Sequence, residues 1–150
     1  MSNDNNVMKF ICPLLAALAV VVALFGPWFT MTSATGRNLE ATLLDVLQGN
    51  AFVEYSSMRW LWISGAGVLL VLASAVVGDQ VRKRLAEAGS FLMIILPGWS
   101  LFNVYTGDED FTAGWGMWAV AVIAVAIVIL ARMIPQEEPT EFVTPQAEQQ

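Results

Sequence analysis

Four stretches of this chain, residues 10–28, 60–78, 88–107 and 111–131, contain neither an acid nor a base, and they run for 19, 19, 20 and 21 residues. At about 1.5 Å of rise per residue, ~20 helical residues cover the ~30 Å hydrocarbon layer of a bilayer. In lipid every backbone N–H and C=O must be paired, and a spanning barrel would need polarity alternating along each strand, which these stretches lack. The pattern predicts an all-α membrane protein, a four-transmembrane-helix bundle over residues 10–134. Composition agrees, because 13% charged residues beside 57% hydrophobic ones is half the charge, about a quarter, that coats an ordinary soluble domain. One cysteine excludes a disulfide scaffold, and seven basic residues with a net charge of −6 exclude a nucleic-acid binder.

Orientation follows from the basic residues, which are retained on the cytoplasmic side. Arg82, Lys83 and Arg84 fall between spans two and three, whereas Asp108, Glu109 and Asp110 fall between spans three and four. With both ends inside, Lys9, Arg82, Lys83, Arg84 and Arg132 are cytoplasmic and only Arg37 and Arg59 are outside. This N-in/C-in arrangement makes residues 1–9 a polar, loose cytoplasmic N-terminus and residues 29–59 an outer loop. It makes residues 135–150, with three prolines and four glutamates, a disordered acidic cytoplasmic tail. Span one is too long for a cleaved signal sequence and is expected to be retained. The protein is placed in the cytoplasmic membrane as a multi-pass chain, with the lipid bilayer as its first partner.

Tryptophan prefers the headgroup level. Trp28 ends span one, Trp60 and Trp62 open span two, Trp99 lies in the outer half of span three, and Trp115 and Trp118 open span four, so all six fall toward the outer leaflet. They form either an aromatic belt or, since a belt ordinarily populates both interfaces, a docking surface for a partner or a pocket lining. The outer loop adds Leu39, Leu43, Val46 and Leu47 at helical spacing, with Asn38 as the cap and Glu40 in the first turn, which predicts a short amphipathic helix. Its apolar stripe packs on the tops of the spans, against the headgroup boundary, or against a partner.

An ionisable residue inside a span marks proton relays and ion paths, and no span contains one. Small proton-coupled drug exporters have this size and span number, but they need a carboxylate in the first span, where this chain reads Leu14-Leu15-Ala16-Ala17-Leu18. Histidine is absent and Cys12 is alone, which removes the commonest general base and any Cys-x-x-Cys pair, so neither catalysis, a metal nor a cofactor is expected. Cys12 packs as a small hydrophobe or is acylated. In span three Pro97-Gly98 permits a kink, and Ser100 and Asn103 follow it; the four residues define either a bent packing helix or a polar pocket. Ala19/Ala23 and Ser74/Gly78 offer four-residue small spacings for close helix approach.

Gly26-Pro27-Trp28-Phe29-Thr30 and Gly114-Trp115-Gly116-Met117-Trp118 resemble motifs of a group of small four-span membrane proteins common in actinobacteria. In that group span one ends in Pro-Trp, and span four begins with Gly-x-Gly and Trp. The resemblance implies an accessory role in the membrane and names no reaction. Phages of the same hosts encode similar small proteins, including lysis and exclusion factors. The expected function is therefore that of a non-catalytic accessory or regulatory subunit working through helix–helix and outer-loop contacts with a membrane-protein partner or a second copy of itself. The alternative is a holin-like permeabilising protein or a superinfection-exclusion protein.

Overall fold

The computed structural model of the chain describes residues 2–49, 58–107 and 111–134. In chain order these form α1 (Ser2–Phe25), β1 (Pro27–Thr32), β2 (Asn38–Thr42), α2 (Leu43–Leu47), α3 (Met58–Ala73), α4 (Asp79–Thr106), β3 (Phe111–Ala113) and α5 (Trp115–Met133). The fold is mostly helical, and a small three-stranded sheet accompanies the helices. Within α4 and α5, Val81–Thr106 and Trp115–Met133 are long and apolar enough to cross a membrane, while the apolar parts of α1 and α3, Phe10–Phe25 and Trp60–Ala73, are shorter.

α5 shows how the helices pack. Gly116, Met117, Val120, Ala124, Ile127 and Ala131 are buried and recur every three or four residues, which is one helix face. The opposite face is no more polar: Trp118, Val122, Val125 and Ile129 are exposed, Val122 by 65%. A helix greasy on both its packed and its open face suits a surrounding of hydrocarbon, where exposing such side chains has no cost. The four long helices close a ring in which α3 packs most extensively on α4, α4 on α5 and α5 on α1, with α1 and α3 meeting least.

Several boundaries differ from the sequence expectation, each for a local reason. α1 starts at Ser2, so residues 2–9 belong to the helix. It stops at Phe25, three residues before the apolar stretch does, because Gly26-Pro27 breaks it and the chain turns into β1. Apolar residues 111–113 likewise form a strand, and α5 begins only after Gly114. α3 ends at Ala73, where Ser74 and the turn after it take over, so the second apolar stretch is helical only over Trp60–Ala73. α4 begins at Asp79, which puts Arg82, Lys83 and Arg84 on the helix itself. The amphipathic element of the loop is shorter than expected. Asn38, Leu39 and Glu40 lie in β2, and the helix Leu43–Leu47 is capped by Thr42, not by Asn38. The acidic tail at 135–150 and the acidic turn at 108–110 lie outside the described residues.

The close approach of α3 also falls elsewhere than the Ser74/Gly78 spacing suggests. A Cβ on Gly78 would meet nothing within 4 Å, whereas Gly67 of α3 and Gly89 of α4 face each other at backbone contact. Two core clusters follow from this ring. Cys12, Ala16, Val71, Met93, Ala124 and Ile127 fill one half, which settles Cys12 as a packed side chain, 3% exposed. Trp28, Phe29, Ala41, Leu43, Leu96 and Met117 fill the half nearer the sheet.

Candidate functional site

The sheet has the order β2-β1-β3, antiparallel throughout, and gathers segments from three places in the chain at one end of the bundle. Thr30 pairs with Glu40 on one side and Thr112 on the other, while Phe29 pairs with Ala41 and Ala113. Since directly paired residues share a face, one face carries Thr30, Thr32, Asn38, Glu40 and Thr112 and the other carries Phe29, Met31, Leu39, Ala41 and Phe111. Phe29 and Ala41 are buried against the helices. The polar face is a shallow depression of about 460 Å³ bounded by the five polar side chains and Met31. There the Thr30 and Thr112 hydroxyls are 2.6 Å apart, and the Thr32 hydroxyl donates to the Asn38 side-chain carbonyl at 3.3 Å.

β1 departs from simple alternation at its start. Its register with β2 shifts between Pro27 and Phe29, leaving Trp28 as a bulge residue. A bulge re-aims a side chain, and here both Trp28 and Phe29 are buried, Trp28 completely. The Trp28 indole N–H donates to Ser100 Oγ at 3.4 Å, and its carbonyl accepts from the Gly114 amide at 3.0 Å. Glycine is required at this crossing. A Cβ on Gly114 would strike the Pro27 carbonyl oxygen, and one on Gly116 would come within 2.8 Å of the Gly26 carbonyl carbon. The Gly-Pro-Trp and Gly-x-Gly motifs are thus two halves of one contact, in which the end of α1 crosses the start of α5 backbone to backbone.

The other tryptophans are distributed differently. Trp60 and Trp99 lie with ring centroids 5.2 Å apart, and Trp99 stacks on Phe102 at 5.9 Å. Trp62 is 76% exposed, and Trp115 and Trp118 are also exposed. In the loop, Leu43 is buried and Leu39 and Leu47 are each 39% exposed. Thr42 and Asp45 form a reciprocal capping box that fixes α2: the Asp45 amide donates to Thr42 Oγ1 at 3.1 Å, and the Thr42 amide donates back to the Asp45 carboxylate at 2.9 Å. The Thr42 hydroxyl and amide hold the Asp45 carboxyl below its ordinary pKa.

The polar group around Pro97 does not converge. Pro97 and Ser100 point inward and are buried, whereas Gly98 and Asn103 are exposed on the other side of α4. Sequence reasoning missed Ser64. Its hydroxyl donates to the Leu92 carbonyl at 2.9 Å and accepts from the Leu96 amide at 3.0 Å, two groups that stand in i→i−4 relation on α4. A side chain inserted into that ladder one residue before a proline is a recognised cause of a kink.

At the opposite end the basic residues act as caps. Arg82 is buried; its Nε donates to the Ser74 carbonyl at 3.0 Å and its terminal nitrogen to the Val77 carbonyl at 2.7 Å, holding the turn that follows α3. Lys83 Nζ donates to the Arg132 carbonyl near the end of α5 at 3.4 Å, and Arg84 is exposed. Cations at helix C-termini satisfy free carbonyls and oppose the dipole. Among the described residues no buried side-chain nitrogen or oxygen lacks a partner, and no three metal-binding side chains gather. The sequence matches no protein-family model and no curated protein.

Proposed function

We propose that this is a four-span protein of the cytoplasmic membrane, with both ends inside, that acts without catalysis as an accessory or regulatory subunit. The reading is supported by four apolar helices in one ring and by basic caps at the end opposite the sheet. α3 covers only about 24 Å at 1.5 Å per residue, and Ala75, Val76 and Val77 extend its apolar path. The observation that carries the functional part is the two-faced sheet. Its apolar face is spent on the helix tops, while its polar face presents a row, Thr112–Thr30–Glu40, outside the bundle. Exposed Trp62, Trp115, Leu39 and Leu47 belong to this same half of the protein. A rigid polar platform over an apolar bundle whose inner hydroxyls are all engaged is built to be held by another protein, not to convert a substrate.

The partner in this reading is another membrane protein or a second copy of the chain. Crosslinking in intact cells followed by purification in mild detergent tests it: a defined partner band, lost when Thr30 and Glu40 are replaced by bulky residues, is expected. Recovery of an isolated monomer under several crosslinking conditions would sink it.

A further inference from the structure

Where α1 and α3 meet least, the ring leaves a cleft of about 210 Å³. Ala19, Val20 and Ala23 of α1 face Leu61, Ser64, Gly65 and Val68 of α3, while Met93, Leu96, Pro97 and Val120 form its back wall. Trp28, Leu43 and Leu47 roof it toward the sheet. The lining is apolar except for the Ser64 hydroxyl, whose proton and lone pair are already engaged with α4. Small side chains create the space: a Cβ on Gly65 would meet nothing within 4 Å, so unlike Gly67 two residues later this glycine serves no backbone contact.

We infer that this cleft is a binding site for one acyl chain of a bilayer lipid. Water is a poor occupant, since an apolar cavity of about 150 Å³ stays dry and takes apolar guests instead. A partner helix, ~10 Å across with its side chains, is too wide to enter between two helices that still touch each other, whereas a segment of a single hydrocarbon chain is narrow enough. The mouth lies on the flank of the bundle between Val20 and Gly65, both exposed, and it is continuous with the exposed apolar side chains Val21, Leu69 and Leu72. That flank is the surface lipid tails cover when the helices span a membrane, so the inference rests on the membrane reading above. α2, fixed by its capping box, closes the top of the cleft with Leu43 and makes the lateral mouth the way in.

The test uses the full chain in phosphatidylcholine vesicles containing a trace of phosphatidylcholine with a diazirine on its acyl chain. After illumination, the labelled residues are mapped by mass spectrometry. Val122 and Ile129 on the open face of α5 report lipid around the protein, whereas Met93 and Leu96, 2% and 4% exposed, are reached only from inside the cleft. Adducts are expected at both sets. Gly65→Leu, which fills the mouth, should remove the inner adducts and keep the outer ones, and Gly65→Ala should keep both; Val20→Trp closes the mouth from the other lip and should act like Gly65→Leu. Outer adducts without inner ones, or inner adducts unchanged in both closing variants, overturn the acyl-chain site while leaving the membrane reading intact. Absence of outer adducts as well defeats the membrane reading and the site together.

Discussion

Gly67 and Gly89 face one another across α3 and α4 so closely that a Cβ on Gly89 would come within 2.6 Å of the Gly67 carbonyl oxygen. Backbone contact of this kind lets two apolar helices associate in lipid, where no hydrophobic force drives them together. Alanine at either position forces the helices apart. Each of Gly67→Ala and Gly89→Ala is expected to cost about 1–3 kcal/mol, the usual range for overpacking, and to lower the melting temperature in detergent. Gly98→Ala, where a Cβ meets nothing within 4 Å, is the control and should not lower it.

Ser64 is a spacer in the ladder of α4. In Ser64→Ala, the Leu92 carbonyl and Leu96 amide are left to pair with each other, so the loss is small, of order 1 kcal/mol for a hydrogen bond exchanged and not orphaned. The larger effect is on shape. Spin labels on the exposed face of α4 at Ala88 and Phe102 should change their separation when the Ser64 hydroxyl is removed; an unchanged distance distribution would show that the inserted hydroxyl does not shape α4.

Trp28 joins the sheet to α4 through Ser100. Trp28→Ala empties a fully buried site and is expected to cost about 3–5 kcal/mol. Trp28→Phe and Ser100→Ala should each cost less, and a double-mutant cycle between them should show coupling of about 0.5–1.5 kcal/mol, the net value of one hydrogen bond. Additive effects in thermal unfolding would mean that the indole acts by packing alone.

Arg82 bridges the Ser74 and Val77 carbonyls of the turn between α3 and α4. Arg82→Lys should destabilise nearly as much as Arg82→Ala, since an ammonium lacks the planar fork that reaches both oxygens. Arg84→Gln, at an exposed position, should leave the melting temperature unchanged. Equal effects of all three would place the role of these residues in orientation during insertion and not in capping.

Asp45 gives α2 a pH dependence. Its carboxyl is held below the ordinary 3.8 by the Thr42 hydroxyl and amide, so the folded state binds the proton less readily than the unfolded chain does. The stability this contributes is fully present above 3.8 and is lost as the pH falls through the lowered folded value. Protection of the Leu43–Leu47 amides from hydrogen exchange, taken relative to the intrinsic rate at each pH, should therefore fall in that acidic window; Asp45→Asn should remove this pH dependence, and Thr42→Val, which keeps the amide donor, should weaken it.

The helical class was legible from the charge-free stretches because burial in lipid demands that every residue be apolar, a condition visible without knowing any neighbour. The sheet was not. Trp28-Phe29 and Phe111-Thr112-Ala113 continue the apolar runs of α1 and α5 without a break, and hydropathy does not separate a short apolar strand from a helix end. The bulge at Trp28 also puts two adjacent residues on one side, which hides the period of two. Thr42-Leu43-Leu44-Asp45, by contrast, spells out a capping box and could have located α2. Gly67, Gly89 and Ser64 carry no signal of their own, since their roles exist only once α3 lies on α4. Of the tryptophans read as an interfacial group, Trp28 is the one the structure places wholly inside.

Thr30 and Thr112 join hydroxyls across 82 residues of sequence. The hairpin of β1 and β2 is complete early in synthesis, yet one of its edges stays bare until the ribosome has delivered α2, α3, α4 and the three residues of β3. α5 is therefore tethered to α1 by this late stitch, and a nascent chain interrupted before that point exposes an open strand edge to whatever else is being assembled nearby.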